Sequence, residues 1–137
     1  MKVYSSIYSE FYYYQEENLF KHNWLSTSEN FLEEEFKTEM MNYLEEVKKY
    51  KPSFVLINAQ KLQFVVRSEL KAWIDNNIAI QVNKILIRIA FLMPSALISQ
   101  LSIEQAMEAR ESAKLRVRFF KDENLAINWL KNTYGGK

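Results

Sequence analysis

Residues 54–70 read FVLINAQKLQFVVRSEL, and three kinds of local structure follow one another within them. An unbroken apolar run begins just after Pro52, a polar turn comes next, and an amphipathic helix begins at Ser68. A strand that is apolar on both faces is typical of a sheet buried between two layers. The segment therefore predicts the central strand and the following helix of a small α/β domain.

Toward the N-terminus the sequence predicts two strands. Residues 2–14 alternate in polarity and are rich in tyrosine and phenylalanine, which favours a β-strand. Residues 19–25 return as a second strand, with Phe20, His22 and Trp24 on one side, so the segment is expected to form a hairpin or a short meander. We expect the tyrosines of the first strand to cover a face of the sheet, with a contact patch as the alternative.

A helix is predicted between these strands and the central one. Ser26 and Glu29 have the spacing of a capping box at a helix start, and Pro52 cannot continue a helix. A cluster of glutamates fills the predicted outer face, where solvation explains it. Apolar residues recur at steps of three and four, as one buried helix face requires: Leu32, Phe36, Met40, Tyr43, Leu44 and Val47.

The C-terminal half continues the alternation of strands and helices. Residues 84–93 and 114–120 are predicted as strands, residues 102–110 as a helix, and a last helix begins at Asp122 or Asn124. The expected fold is thus a single α/β domain over residues 1–137 with the order ββαβαβαβα. Its sheet is open and mixed, its central strands are parallel, and its helices pack on the sheet.

Composition excludes several classes of protein. The chain has 137 residues, 48% hydrophobic and 26% charged, with a net charge of +1, so no global charge favours nucleic acid or an anionic membrane. The absence of cysteine excludes disulfides, thiolate metal sites and cysteine nucleophiles. No apolar run is long enough for membrane insertion. We expect a soluble protein of the bacterial cytoplasm.

The sequence contains no recognisable catalytic motif. Its glycines are Gly135 and Gly136, so no strand is followed by a phosphate-binding loop, a dinucleotide fingerprint or a nucleophile elbow. His22 is the single histidine and no cysteine accompanies it, which leaves no ligand set for a transition metal. We therefore expect neither enzymatic activity nor a cofactor or metal.

The sequence contains two candidate anion sites, a single arginine in a strand and a group of three residues at a helix start. Arg88 places a guanidinium inside an apolar strand, where it would neutralise an anionic ligand or a partner carboxylate. The alternative is that its stem packs on the sheet while its head reaches solvent or an acidic side chain of a helix. Arg67, Ser68 and Lys71 gather at the start of the second helix, where free backbone N–H groups favour an anion. Alternatively, Ser68 is a plain N-cap.

The element order and residues 54–70 together resemble the SpoIIAA-like group of STAS domains. Aligned without gaps, the strand-end Asp of that family falls on Asn58 and its apolar turn positions on Leu62 and Phe64. The serine that accepts phosphate in the anti-sigma-factor antagonists falls on Ser68, and the following leucine on Leu70.

The sequence also departs from the family motif. Val66, Arg67 and Glu69 stand where the family has Asp, Ser and Gly. The closing segment FFKDE, residues 119–123, resembles the STAS/SEC14-type branch of uncharacterised bacterial proteins; so do three apolar residues after it, Ala126, Trp129 and Leu130.

The resemblance implies a non-enzymatic regulatory or protein-interaction module. Its partner would be another protein, or a second copy in a homo-oligomer such as a dimer. Its interaction loop would comprise Asn58, Gln60, Leu62 and Phe64, and Ser68 would be the candidate phospho-acceptor. The alternative is a carrier or sensor of a small apolar or anionic ligand, with Arg88 as counter-ion.

Overall fold

A computed structural model describes residues 1–25, 32–62, 67–92 and 117–131 of the chain. Within these residues six strands form one mixed sheet: β1 (Lys2–Ser5), β2 (Ser9–Tyr14), β3 (Leu19–Trp24), β4 (Phe54–Asn58), β5 (Arg88–Leu92) and β6 (Val117–Phe120). The helices are α1 (Glu33–Tyr50), α2 (Ser68–Ile74), α3 (Ile80–Val82) and α4 (Glu123–Lys131). A π-helical segment, Asp75–Ala79, joins α2 to α3.

The strands lie in the sheet in the same order as in the chain. The first three form an antiparallel meander, and β3, β4, β5 and β6 are parallel to one another. Helices α1 and α2 make the crossovers from β3 to β4 and from β4 to β5. The predicted α/β class, the parallel centre and the antiparallel N-terminal edge are confirmed. The predicted helix 102–110 lies outside the described residues.

Of the two predicted arrangements of the N-terminal segment, the structure has the meander, and residues 2–14 form two strands rather than the one counted in the predicted order. β1 and β2 pair antiparallel, with Ser5 opposite Glu10. Between them the hydroxyl of Ser6 accepts hydrogen bonds from the backbone N–H groups of Tyr8, at 3.0 Å, and of Ser9, at 3.2 Å. A serine that binds nearby backbone donors in this way favours a turn over a continuous ladder.

The ends of α1 differ in part from expectation. The proposed start at Ser26 lies outside the described residues, and α1 begins at Glu33. Leu32 occupies the N-cap position and is 67% exposed, so it does not belong to the buried stripe. The Glu35 carboxylate accepts a hydrogen bond of 3.0 Å from the Leu32 N–H. At the other end Lys51 adopts a left-handed conformation, φ 50°, immediately before Pro52.

β5 is shorter than predicted. The chain stays in a turn after α3, and the N–H groups of Ile85 and Leu86 both bond to the Val82 carbonyl, at 2.9 and 3.0 Å. The strand therefore begins at Arg88 rather than at residue 84. Arg88 thus lies at the amino end of a strand rather than in its middle.

Two hydrophobic layers enclose the sheet. On the first face α1 and α2 cover β-strand side chains that include Val55 and Ile57. On the second face α4 places Ala126 and Leu130 against Leu56 and its neighbours. β4 is therefore buried on both sides, as its unbroken apolar sequence predicts.

Candidate functional site

The carboxyl ends of the parallel strands meet at one edge of the sheet. Asn58, the last residue of β4, lies in register with Asn23 of β3 on one side and with Leu92 of β5 on the other. Oδ1 of Asn23 is buried and has no hydrogen-bond partner among the described residues. Open α/β sheets bind their ligands and partners at this edge.

A short hydrogen-bonded turn follows β4. Oδ1 of Asn58 accepts a hydrogen bond of 3.1 Å from the Gln60 N–H, and Nε2 of Gln60 donates one of 3.4 Å to the carbonyl of Lys121. Leu62 is buried in the core at 3% exposure. The predicted interaction loop thus has two half-buried polar residues, Asn58 and Gln60, and one buried anchor. Its fourth member, Phe64, lies outside the described residues.

The structure corrects the capping assignment at the start of α2. Arg67 is the N-cap, and Ser68 is the first helical residue; no side chain makes a capping hydrogen bond. Ser68 therefore does not act as the N-cap. Arg67, Ser68 and Glu69 are all exposed, while Leu70 is buried at 2% exposure. The Ser68 hydroxyl thus lies on the surface of a turn that Leu70 attaches to the core.

The three candidate anion-binding residues at this turn differ in exposure. Lys71 is half-buried, whereas Arg67 and Ser68 are exposed. The three residues share the first helical turn, because the Lys71 N–H bonds to the Arg67 carbonyl at 2.8 Å. The turn therefore presents one hydroxyl between a guanidinium and the carboxylate of Glu69.

The single histidine is buried in an aromatic cluster. His22 is 1% exposed, and its ring lies 4.6 Å from that of Phe11 and 4.5 Å from that of Trp24. Neither of its nitrogens has a hydrogen-bond partner among the described residues. Burial lowers the pKa of His22 to about 3. The imidazole is therefore neutral at physiological pH and has no route to a substrate in solution.

A buried carboxylate escaped the sequence prediction. Glu39 is 4% exposed; it accepts hydrogen bonds from Ser9 Oγ at 2.5 Å and from Tyr4 Oη at 2.9 Å. Asn42 Nδ2 donates to the same Tyr4 oxygen at 2.9 Å. Burial, followed by the bond to Glu39, raises the pKa of Tyr4. The sequence does indicate this burial, because Glu39 is three residues after Phe36 and so belongs to the same buried face of the helix.

Tyr4 and Glu39 thus join the N-terminal strands to α1. Tyr4 and Tyr8 pack half-buried against the first hydrophobic layer, while Tyr12 stacks on Tyr14 with ring centroids 6.4 Å apart. These tyrosines therefore form two groups rather than one flat aromatic patch.

Arg88 contacts α4. Its Nη1 donates a hydrogen bond of 3.0 Å to the Trp129 carbonyl, and its Cζ lies 4.6 Å from the centroid of the Trp129 ring. Arg118 approaches the same ring at 5.3 Å. Neither arginine forms an ion pair with any described carboxylate.

One open cavity, of about 630 Å³, lies at the opposite edge from Ser68, between the β2–β3 turn and the end of α1. Tyr13 and Tyr50, whose ring centroids are 4.6 Å apart, form part of its wall. The remaining lining residues are Met1, Tyr14, Gln15, Glu16, Glu17 and Lys49. The cavity does not include Arg88, the candidate ligand counter-ion.

Comparison of the chain with protein-family models, curated proteins and solved structures gave no match. The resemblance to STAS domains therefore stays a prediction from residues 54–70 and the element order. Within the described ranges no helix has the length and apolar character needed to cross a membrane. The same residues contain no cluster of three or more metal-ligating side chains.

Proposed function

We propose that this chain is a non-enzymatic, STAS-like interaction module that binds a protein partner or a second copy of itself. The docking region is the Ser68 surface, which we define as Asn58, Gln60, Arg67, Ser68 and Glu69. One observation carries the proposal: an exposed hydroxyl lies on the first turn of a helix that Leu70 attaches to the core, and this helix is the one that follows the central strand in the chain.

The polar turn after β4 favours docking without rearrangement. The Asn58–Gln60 and Gln60–Lys121 hydrogen bonds hold the turn against the end of β6, so a partner would meet a surface that is already ordered. Binding to an ordered surface avoids the entropy cost of fixing a loop.

Ser68 supplies the regulatory element of the proposal. A phosphate on this hydroxyl would add up to about two negative charges to the first turn of α2, where the helix dipole and Arg67 tolerate them. The fold would therefore accept the modification, while a docked partner would meet a changed charge. The role as phospho-acceptor rests on the resemblance to the STAS group.

The test compares Ser68→Ala with Ser68→Asp by native mass spectrometry of protein purified gently from its own cells. We expect a bound protein or a homodimer in the unmodified chain and in Ser68→Ala, and its loss in Ser68→Asp. Thr38→Asp is the matched control, because Thr38 is an exposed hydroxyl residue on α1 far along the chain from the turn. Equal binding by both Ser68 variants would refute the switch, and a purely monomeric, unbound protein would refute the module.

A second candidate function is a carrier or sensor of a small anionic ligand. The contact of Arg88 and Arg118 with one tryptophan ring favours it, since two cations are held together and neither forms an ion pair with a described carboxylate. Native mass spectrometry and denaturing mass spectrometry of the same sample distinguish the two functions, because the difference in mass identifies what was bound. A small co-purifying molecule points to the carrier, whereas a bound polypeptide points to the Ser68 surface.

A further inference from the structure

Two guanidinium groups share one aromatic ring on the second face of the sheet. Arg88 and Arg118 lie 4.6 and 5.3 Å from the centroid of the Trp129 ring, so their charges are at most about 10 Å apart, close to the Debye length at 0.1 M salt. Like charges at this distance repel each other and are only partly screened. We call Arg88, Arg118 and Trp129 the double-arginine site.

The positions of these groups are fixed by the fold. Arg88 begins β5 and Arg118 lies in β6, opposite Ala90 in the parallel register. Trp129 precedes Leu130, which is 1% exposed in the core, and its ring packs 5.7 Å from that of Phe120. The ring and both arginine backbones therefore belong to rigid elements, as a preorganised site requires.

Most hydrogen-bond donors of the two guanidiniums have no partner among the described residues. A guanidinium carries five N–H donors, and Arg88 uses one of them for the Trp129 carbonyl. Arg118 is exposed, and its guanidinium makes no hydrogen bond to a described residue. Among the described carboxylates on or beside α4, Glu17 pairs with Lys131 and Glu123 with Lys21, and Asp122 accepts a hydrogen bond from the Asn124 N–H. No described carboxylate therefore pairs with either guanidinium, which leaves both able to bind an anion from outside the described part of the chain.

We propose that the double-arginine site binds the phosphate group of a phosphate monoester. Such a group carries close to two negative charges at neutral pH and three acceptor oxygens, which match two guanidinium forks. A monocarboxylate neutralises only one of the two charges. The apolar surroundings of Trp129, including Phe120, lower the local dielectric and strengthen the attraction.

This site is separate from the Ser68 surface. Leu70 attaches Ser68 to the first hydrophobic layer, whereas the double-arginine site lies with α4 on the second face. Arg88 is at the amino end of β5, and Ser68 follows the carboxyl end of β4. Phosphate binding therefore stands or fails independently of docking at Ser68, and Ser68→Ala is expected to leave it unchanged.

The test follows the indole N–H resonance of Trp129 in the full ¹⁵N-labelled chain, assigned with Trp129→Phe. Inorganic phosphate and phenyl phosphate are titrated at constant ionic strength, with acetate and chloride as comparison anions. We expect saturable shifts with both phosphates and weak or linear shifts with acetate and chloride. Tighter binding of phenyl phosphate would assign the site to an organic monoester, and equal binding would assign it to the free phosphate ion.

Three variants make the test specific. Arg118→Gln removes an exposed charge and is expected to weaken phosphate binding about tenfold, the loss of one charge-assisted contact. Arg88→Lys keeps the charge without the planar fork and should weaken binding as well. Lys48→Gln removes an exposed charge elsewhere and should change nothing. Shifts that chloride reproduces, or that Arg118→Gln leaves intact, would overturn the proposal.

Discussion

Ser9 Oγ donates a 2.5 Å hydrogen bond to Glu39 Oε1, and both residues are buried. The bond joins the beginning of β2 to the middle of α1, across the first hydrophobic layer. Tyr4 of β1 supplies the second donor to the same carboxylate. A buried carboxyl group is stable only when its oxygens are hydrogen-bonded, so these two hydroxyls stabilise the packing of the N-terminal hairpin against α1.

The first prediction concerns this carboxylate. Ser9→Ala leaves one Glu39 oxygen without its buried donor and is expected to lower the free energy of unfolding by about 1.5 to 3 kcal/mol, as for hydrogen bonds to charged groups. Urea unfolding at pH 7 measures the change. Glu34→Ala, at an exposed position on the same helix, is the control and should stay within about 0.5 kcal/mol of the parent. Similar losses in the two variants would contradict the role of Glu39.

The second prediction concerns pH. Burial lowers the pKa of His22 from 6.5 to about 3. Between these two pH values the imidazole is protonated in the unfolded chain and neutral in the folded chain. Stability contributed by the neutral imidazole is present above pH 6.5 and is lost as the pH falls toward 3. The slope approaches about 1.4 kcal/mol per pH unit within that window.

His22→Phe removes this dependence while keeping an aromatic ring in the cluster. Unfolding free energies of the parent and the variant are measured from pH 7 to pH 4, and below pH 6.5 that of the parent is expected to fall faster than that of the variant, by up to about 1.4 kcal/mol per pH unit. Parallel curves would show that His22 is protonated in the folded state, in conflict with its burial.

The third prediction separates the two arginines at Trp129. Arg88→Met removes a half-buried hydrogen bond and a cation–π contact, and should cost about 1 to 2 kcal/mol of stability. Arg118→Met removes the exposed guanidinium and should cost less than about 0.5 kcal/mol. Thermal or urea unfolding of the pair is the measurement. Equal costs would mean that the contact to the Trp129 carbonyl does not fix Arg88.

The fourth prediction concerns the attachment of the Ser68 turn. Leu70→Ala creates a cavity under the first turn of α2 and is expected to cost about 2 to 5 kcal/mol. Faster hydrogen exchange is also expected at the amides that follow Ser68. Glu69→Ala, in the same turn but exposed, is the control for both measurements. Unchanged exchange in Leu70→Ala would show that the turn is held by something other than this side chain.

Parts of this fold could be predicted because one physical signal dominated each of them. The unbroken apolar run of β4 required burial on two faces, and the structure places Val55 on one layer and Leu56 on the other. The side-chain alternation of β3 likewise predicted that Phe20, His22 and Trp24 share one face, and all three are buried in the structure. Periodicity is reliable where burial is complete, because a shift of one residue would expose the whole set.

Other features depended on contacts between distant residues. Nothing local distinguishes Glu39 from the glutamates around it except its place on the buried face, and its donors come from another element. The turn at Ser6 depends on hydrogen bonds to one side-chain oxygen, and the alternation of polar and apolar residues does not predict such a turn. Ser68 has the composition of an N-cap, yet the helix begins one residue earlier than that role requires. The neighbours of Arg88 come from α4, about forty residues away in the chain.

The central claim, docking at the Ser68 surface, is tested most directly by site-specific photo-crosslinking in the cells that make the protein. A benzophenone side chain is placed in turn at Gln60, at Glu69 and, as control, at the exposed Lys48 on α1. We predict that Gln60 and Glu69 yield the same cross-linked polypeptide, a partner or a second copy, and that Lys48 does not. Products of equal yield at all three positions, or none at Gln60 and Glu69, would contradict the proposal.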